Sequence, residues 1–522
     1  MNDVSTTTGS ASKTRAPGPR GLPWFGSVFP AWRDPLTLFL ESRDRYGDVV
    51  RFRFGPFQYY LVNDPDVVKH VLVDNPKGYT KSRNYLGLKV VLGEGLLTSE
   101  GDHWRRQRKL AQPAFHRDKL AGFAASMSMA TRDMLTRWSN EGDSGSFCIH
   151  AEMMRLTFRI VGLTLFSSDV DGDAKDVGQA LEVAMHWAND YAESMIRVPP
   201  YIPTPGNVRF KRAKKTLDDV VFRLIAERRA QAADSGDFGD DLLGMLMAAT
   251  EEPEAAAAAA AGDAQRSGMD DQQLRDEIIT MILAGHETTA NLLSWTFSLL
   301  SQHPDIERRV RDEARRVLGN RDPVLEDVRS LEYTKMVLEE ALRLYPPAWM
   351  FERQAIAPDK LGGYDIEPGA IVGLCPYVLH RHPDHWENPE GFDPDRFHPD
   401  RAAKRPRYAY LPFGGGPRTC VGNHFAMMEA QILLAMIVRE QRLELEPSHR
   451  VVLDPVITLR PKTGIKMRRR ARGPQRGTHT LTAPVAQRKP ALHSDAAGAP
   501  QATVPSSHSS GSTTIEAGGR AV

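Results

Sequence analysis

One short segment, FGGGPRTCVG at residues 413–422, holds the residues with the clearest chemical potential. Cys420 lies between glycines, and Arg418 precedes it by two residues. The segment that follows, NHFAMMEAQILLAMIVRE, has apolar residues at helical spacing, which predicts that Cys420 lies just before a helix N-terminus. Backbone N–H groups and the helix dipole at that point, together with Arg418, favour a thiolate. Such a thiolate is a nucleophile or a metal ligand, whereas an isolated buried cysteine is usually structural.

A second candidate segment is AGHETT, inside the long helical pattern LRDEIITMILAGHETTANLLSWTFSLL at 274–300. Ala284 and Gly285 are small, and glycine in mid-helix is unfavourable unless something must approach the backbone. Glu287 and Thr288 place a carboxylate beside a hydroxyl in an otherwise apolar stretch. Taken alone, this pair is equally explained as an exposed acid followed by a threonine that a helix tolerates.

Three arginines have spacings that suit the binding of carboxylates. Arg108 follows Trp104 by four residues, so the two share one helical face. Arg353 lies just past Pro346-Pro347, and Arg418 precedes the cysteine. Arginine suits this task because its planar fork donates two hydrogen bonds to one carboxylate.

These segments together resemble the haem-thiolate monooxygenases, the cytochrome P450 family, and its soluble bacterial members in particular. The pattern F-x-x-G-x-R-x-C-x-G is complete and resembles the family's cysteine-ligand loop; its residues are Phe413, Gly416, Arg418, Cys420 and Gly422. The motifs W-x-x-x-R, AGHETT, E-x-x-R and F-x-P-x-R-F precede it in the family's order. The resemblance extends from about residue 20 to residue 468.

The resemblance implies a role for each matching residue. Cys420 would be the axial ligand of the iron of haem b, and a thiolate there favours cleavage of the O–O bond. Glu287 and Thr288 would be catalytic, since they would hold oxygen and water and relay protons. The other residues would contact the haem or its propionates, and they are Trp104, Arg108, Ala284, Gly285, Arg353, Phe413, Arg418 and Gly422. Glu340, Arg343 and Arg396 would form a buried structural triad on the cysteine side.

The expected fold is the cytochrome P450 fold, mainly α with a small β-rich region. VVRFRFGPFQYYLV at 49–62 predicts a β-hairpin, and 103–345 is mostly helical by periodicity. Short strand patterns follow residue 355, in KLGGYDI, AIVGLCPYVL and VITLRPKTGIKMR. Composition predicts a disordered leader at 1–17 and a disordered tail at 469–522. The resemblance assigns 18–468 to the haem-thiolate domain, which contains a low-complexity, alanine-rich insertion at 251–271.

Composition narrows the possible location and partners. The chain has 522 residues, 41% of them hydrophobic, and a net charge of +1, which gives no reason to expect a nucleic acid partner. Its three cysteines are far apart, which is typical of a reducing cytoplasm. We see neither a signal peptide nor an apolar run long enough for a transmembrane anchor, and so expect a cytoplasmic protein.

The resemblance implies a monooxygenase that activates O2 and hydroxylates or epoxidises a hydrophobic molecule such as a terpenoid, polyketide, steroid or fatty acid. Three scattered cysteines cannot bind an iron–sulfur cluster that needs four, so electrons would come from a ferredoxin or flavodoxin and its NAD(P)H reductase. Arg105, Arg106 and Lys109 could form a docking face for that partner or a merely solvated helix face. Pocket walls are expected near 84–97 and 180–210, at Met281 and Ala284, and at 348–351 and 456–459.

Other functions remain open at this point. They are a non-catalytic haem sensor or carrier, a peroxide-driven or isomerising member of the same fold, and a cysteine-nucleophile enzyme without haem. Alignment of the hairpin puts Phe57 and Tyr60 where fatty-acid hydroxylases have an arginine and a tyrosine that hold a carboxylate. The missing arginine argues against a free fatty acid as the substrate.

Overall fold

The computed structural model describes residues 14–142, 145–194, 197–251 and 269–471. Its architecture is mainly helical, as expected. The helices are α1 (Val28–Arg33), α2 (Pro35–Tyr46), α3 (Pro65–Lys69), α4 (Tyr85–Leu92), α5 (Gly101–Ala111), α6 (Arg117–Glu141), α7 (Ile149–Leu165), α8 (Ala174–Glu193), α9 (Pro205–Ser235), α10 (Leu242–Glu251), α11 (Asp271–Gln302), α12 (Pro304–Leu318), α13 (Leu325–Val328), α14 (Glu332–Leu344), α15 (Pro376–Leu379), α16 (Pro399–Ala402) and α17 (Asn423–Glu440).

Within the described residues, the β-structure is small and lies in four sheets. The strands are β1 (Val49–Phe54), β2 (Phe57–Val62), β3 (Tyr79–Lys81), β4 (Phe147–Cys148), β5 (Phe351–Ala355), β6 (Asp359–Leu361), β7 (Tyr364–Ile366), β8 (Ile371–Leu374), β9 (Gln441–Leu445), β10 (Leu453–Pro455), β11 (Leu459–Pro461) and β12 (Lys466–Ala471). The largest sheet has the order β1-β2-β8-β5-β3, in which β2 and β8 are parallel and the other pairs antiparallel.

Helix α11 runs through the main hydrophobic core and packs against α7, α9, α14 and α17. It is buried on nearly every side, including its tryptophan and phenylalanine side chains. Asp270 caps its start by accepting a hydrogen bond from the backbone N–H of Gln273 at 2.8 Å. Because the helix is enclosed on nearly every side, a ligand can reach it only where its side chains are small enough to leave space.

The predicted hairpin at 49–62 is confirmed, with β1 and β2 paired and Gly55 at φ +59° in the turn. The strand predicted in AIVGLCPYVL is wrong in its second half, since β8 ends at Leu374 and Pro376 begins the short helix α15. Proline at the first position of a helix is favourable because its missing N–H needs no partner there. The polar strand β5 was not predicted.

The domain limits extend slightly beyond the predicted ones. The backbone N–H of Arg51 donates to the Pro17 carbonyl at 2.8 Å, and Ala16 is buried, so residues 14–17 pack on the sheet. Strand β12 continues to Ala471, and Arg469 is buried and donates to Glu141 at 2.7 Å. Residues 1–13, most of the alanine-rich insertion and 472–522 lie outside the described residues.

None of the described helices combines the length and apolarity that crossing a membrane requires.

Candidate functional site

The cysteine loop is held by its own backbone. The backbone N–H of Cys420 donates to the Phe413 carbonyl at 3.0 Å, and the Thr419 hydroxyl donates to the Gly416 carbonyl at 2.7 Å. Gly416 has φ +66°, and a Cβ there would lie 2.0 Å from the carbonyl oxygen of Leu72. Only glycine fits this position. Helix α17 begins three residues after Cys420, as predicted.

The thiol of Cys420 opens onto an internal cavity, so the sulfur has room for a ligand although protein surrounds it. Burial raises the pKa of this thiol, while the Gly422 backbone N–H and the charge of Arg108 act in the opposite direction. The prediction that Arg418 supplies the nearby charge is therefore wrong. Arg108 does so, and it donates to the Thr419 carbonyl at 2.9 Å. A bound metal cation would stabilise the thiolate that burial alone disfavours.

The cavity has a volume of about 870 Å³. All the predicted haem-contacting residues line it, and so does Thr288. Each predicted wall segment also contributes lining residues, although many positions in 84–97 and 180–210 do not line the cavity and Leu459 is fully buried in the core. The other residues that line the cavity are mostly apolar, which suits a hydrophobic ligand.

Helix α11 turns its bare face to this cavity. Ala284 is exposed to the cavity in the middle of an otherwise buried stretch, and the Thr288 hydroxyl donates to the Ala284 carbonyl at 2.7 Å. Gly285 lines the cavity too, but a Cβ there would point at α7, 3.0 Å from Cγ2 of Val161. The small residue at 284 therefore leaves room in the cavity, whereas the glycine at 285 leaves room for a neighbouring helix.

Glu287 lies behind the cavity wall and is not one of its lining residues. Its carboxylate accepts a hydrogen bond from the Thr458 hydroxyl at 2.5 Å, and Thr458 does line the cavity. The Asn291 amide donates to the same hydroxyl at 3.4 Å. Burial raises the pKa of Glu287. Thr458 belongs to a predicted wall segment, but the contact between its hydroxyl and Glu287 was not predicted. The signal was a single polar residue in the otherwise apolar segment VITL at 456–459.

A surplus of positive charge lies at one side of the cavity. Lys81, Arg353 and Arg418 all line it, and burial followed by the charges of the two arginines lowers the pKa of Lys81 to about 7. Glu100 is the carboxylate that opposes this effect: it contacts the Arg418 guanidinium and lies 3.8 Å from Lys81 Nζ. The Arg418 guanidinium also lies 3.8 Å above the Trp104 ring. Sequence reasoning missed Lys81, which no motif contains.

These residues fit haem. The cavity presents one cysteine sulfur, a helix face kept bare by Ala284, and the cations Lys81, Arg353 and Arg418 on one side, where two propionates would find partners. These side chains could hold a macrocycle that takes a cysteine thiolate as a metal ligand and carries two acidic arms. When bound, haem supplies the iron chemistry that activates dioxygen.

The predicted structural triad is confirmed. Arg343 donates twice to Glu340, at 2.7 and 2.8 Å, and both side chains are fully buried. Arg396 Nε donates to the same carboxylate at 3.3 Å. Arg343 also donates to the carbonyls of His380, Pro389 and Gly391, so the triad ties α14 to the segment that leads to the cysteine loop.

The predicted position of Tyr60 is wrong. Tyr60 packs in a separate apolar cluster on the far side of the sheet, whereas Tyr59 and Phe57 line the cavity, as the two-residue alternation of a strand requires. The Tyr59 ring lies across Gly373, where a Cβ would be 1.9 Å from the tyrosine oxygen. The hydroxyl is 3.4 Å from Met350 Sδ.

Comparisons with known proteins agree with this geometry. The family model of cytochrome P450 matches residues 16–467. Cyclooctat-9-en-7-ol 5-monooxygenase of Streptomyces melanosporofaciens is 36% identical over 83% of this chain and 90% of its own. Pentalenene oxygenase of Streptomyces avermitilis is 32% identical over 87% of this chain and 97% of its own. The crystal structure of the cytochrome P450DA heme domain matches with a TM-score of 0.77 and 26% identity, over 89% of this chain and 99% of that one.

The family match covers most of the chain, and the thiol, cavity and helix α11 have the arrangement that a haem-iron enzyme needs. The chain therefore belongs to the cytochrome P450 family and is a cytochrome P450 monooxygenase.

Proposed function

We propose that the protein hydroxylates or epoxidises a terpenoid, with O2 as oxidant and electrons from a separate ferredoxin or flavodoxin and its NAD(P)H reductase. The observation that carries this proposal is the apolar cavity, which reaches from the Cys420 thiol to Ala284 and Thr288. The names of relatives that cover most of the chain point to terpenoid substrates. The large aromatic and apolar walls suit such carbon skeletons.

Haem b is the proposed cofactor, with Cys420 as its axial ligand. Trp104, Arg108, Arg353 and Arg418 would hold the propionates, with Lys81 as a further cation on the same side. The Phe413 carbonyl accepts a hydrogen bond from the Cys420 backbone N–H and would hold the loop in place, whereas the Gly422 N–H would donate to the thiolate and lower its basicity. Ala284 and Gly285 would lie against the macrocycle's opposite face.

Glu287 and Thr288 are the proposed proton-handling pair. Cleavage of the O–O bond consumes two protons, and an apolar cavity supplies few. Thr288 lies on the cavity wall, while Glu287 reaches the wall through the Thr458 hydroxyl. A threonine hydroxyl can accept one proton on its oxygen and release its own, which connects a buried acid to the cavity without exposing a charge.

The proposed docking face for the redox partner is the helix α5 surface with Arg105, Arg106 and Lys109. It lies on the same helix as Trp104 and Arg108, which line the cavity. A basic surface near the cofactor favours an acidic partner and speeds its encounter.

The test uses purified haem-loaded protein and a panel of terpenoids, steroids, fatty acids and macrolides. A thiolate-type spectrum with carbon monoxide, a low- to high-spin Soret shift with terpenoids, and NAD(P)H-dependent product with surrogate partners would support the proposal. Peroxide-driven turnover alone, or haem binding without any product, would favour the peroxide-driven or carrier alternatives. Thr288→Ala should divert electrons from product to peroxide and water, and unchanged coupling would contradict the proton-handling assignment.

A further inference from the structure

Two arginines line the outer end of the cavity, and we call them the arginine pair: Arg83 and Arg197. Arg83 follows β3, and Arg197 lies between α8 and α9. Trp32 and Pro56 also line the cavity and are exposed, with 58% of the Trp32 surface accessible. Pro56 directly precedes Phe57, on whose ring Arg83 lies. This end is therefore open to the outside, unlike the wall formed by the cysteine loop and α11.

Arg83 has no carboxylate partner within the part of the chain that the structure describes. Its guanidinium carbon lies 3.9 Å above the centre of the Phe57 ring. This stacking fixes the plane of the guanidinium and leaves its edge, which carries the N–H donors, free to bind a ligand. Phe57 lines the cavity as well, so the positive charge of Arg83 lies at this part of the cavity wall.

Arg197 is also without a carboxylate among the described residues. One of its terminal N–H groups donates to the Ala192 carbonyl at 3.0 Å, and its buried Nε has no partner. Burial and then the charge of Arg83 lower its pKa, and the Tyr191 phenol acts in the opposite direction. Glu193 lines the cavity as well but is not among the groups that act on Arg197.

Unlike these two partly buried arginines, the fully buried arginines among the described residues have carboxylate partners. Arg228 donates to both oxygens of Asp241, at 2.7 and 2.6 Å, and Arg275 Nε donates to Asp218 at 2.7 Å. Two partly buried guanidinium groups that repel each other cost free energy unless an anion lies between or beside them. The described residues supply no such anion to either guanidinium, which leaves a place for an anion from outside the chain.

We propose that the arginine pair binds a carboxylate on an amphiphilic substrate whose hydrocarbon part extends toward Ala284 and Cys420. This inference rests on the proposed function and narrows its substrate class from terpenoids in general to terpenoid acids. Guanidinium groups suit this task because they bind a carboxylate through two parallel hydrogen bonds. A substrate of this kind has already been oxidised or hydrolysed to an acid by an earlier enzyme.

The test uses probes that do not depend on knowing the substrate. An alkyl chain with imidazole at one end binds haem iron through that ring, which shifts the Soret band and gives a dissociation constant. We would compare ω-imidazolyl carboxylic acids of about eight to twelve carbons with the matching ω-imidazolyl alcohols, on the full-length haem-loaded protein at low salt. At the best chain length the acid should bind about tenfold more tightly than the alcohol, which corresponds to about 1.4 kcal/mol.

Arg83→Gln and Arg197→Gln should each remove most of that preference while changing alcohol binding less than about twofold. Arg212→Gln is the matched control, because Arg212 is exposed on α9 and does not line the cavity. Equal affinity of acid and alcohol at every chain length would overturn the inference, as would equal losses for both probes in the two variants. A protein without a haem Soret band would instead overturn the proposed function.

Discussion

The two walls that face each other across the cavity are built by different means. The cysteine side is held by its own backbone: Gly416 has a left-handed conformation, Cys420 bonds to Phe413 seven residues earlier, and the buried triad lies behind. The α11 side depends on a distant segment, because Glu287 is held by Thr458, 171 positions later. A local motif therefore describes most of the backbone of the cysteine loop, to which Arg108 adds a distant contact, whereas Glu287 reaches the cavity only through a residue that folding brings to it.

The largest expected effect comes from removing the sulfur. Cys420→Ala should abolish the thiolate-type carbon monoxide spectrum and reduce product formation by more than about a thousandfold, because O–O cleavage needs the electron-rich ligand. Cys148→Ala is the control, since that cysteine lies in β4 and does not line the cavity. A retained thiolate spectrum in Cys420→Ala would mean that another residue binds the iron.

The second prediction tests whether the buried Glu340–Arg343–Arg396 triad stabilises the cysteine side of the cavity. Arg343→Ala should destabilise the fold by about 3–5 kcal/mol, because it leaves the fully buried Glu340 without its main partner. Chemical denaturation followed by fluorescence and by the Soret band measures this. Lys215→Ala, which breaks an exposed helical pair with Asp219, should cost at most about 0.5 kcal/mol. Similar losses in the two variants would contradict a structural role for the triad.

A smaller effect tests the α11 side. Thr458→Val keeps the shape of the side chain but removes the hydroxyl that reaches Glu287, so the fraction of NAD(P)H electrons recovered in product should fall on the order of tenfold. The carboxyl infrared band of Glu287 should also shift as its hydrogen bond is lost. Thr458→Ser should restore both properties. If coupling in Thr458→Val equals wild type, protons reach the cavity by another route.

The smallest expected effect tests whether the haem propionates lie beside Lys81, on the positively charged side of the cavity. Lys81 has a pKa of about 7 without haem, and propionates would raise it. A group whose pKa rises on binding strengthens binding below its free pKa and loses that contribution as pH rises through its bound value. Haem release to an excess of apomyoglobin should therefore accelerate a few-fold above pH 7 in wild type. Lys81→Met should flatten this pH dependence, and an unchanged profile would place the propionates elsewhere.

Much of the fold followed from periodicity and from motifs, and the misses have physical reasons. The AGHETT segment and the cysteine loop are motifs of consecutive residues, so the places of Ala284, Thr288 and Cys420 on the cavity wall were predictable, whereas Glu287 lies behind that wall. Lys81 and Thr458 were missed as functional residues because their partners come from other elements. Tyr60 was misplaced because a shift of one residue along a strand reverses the face of every side chain. The charge near the thiol was assigned to Arg418 by sequence distance, whereas folding brings Arg108 there.

Gly373 connects the shape of the cavity wall to a residue that does not itself line the cavity. It lies in β8, and its missing side chain leaves the space that the Tyr59 ring occupies. A single methyl group at this position would force that ring, which lines the cavity, to move. A substitution that touches neither Cys420 nor the proton-handling residues would therefore change the cavity wall.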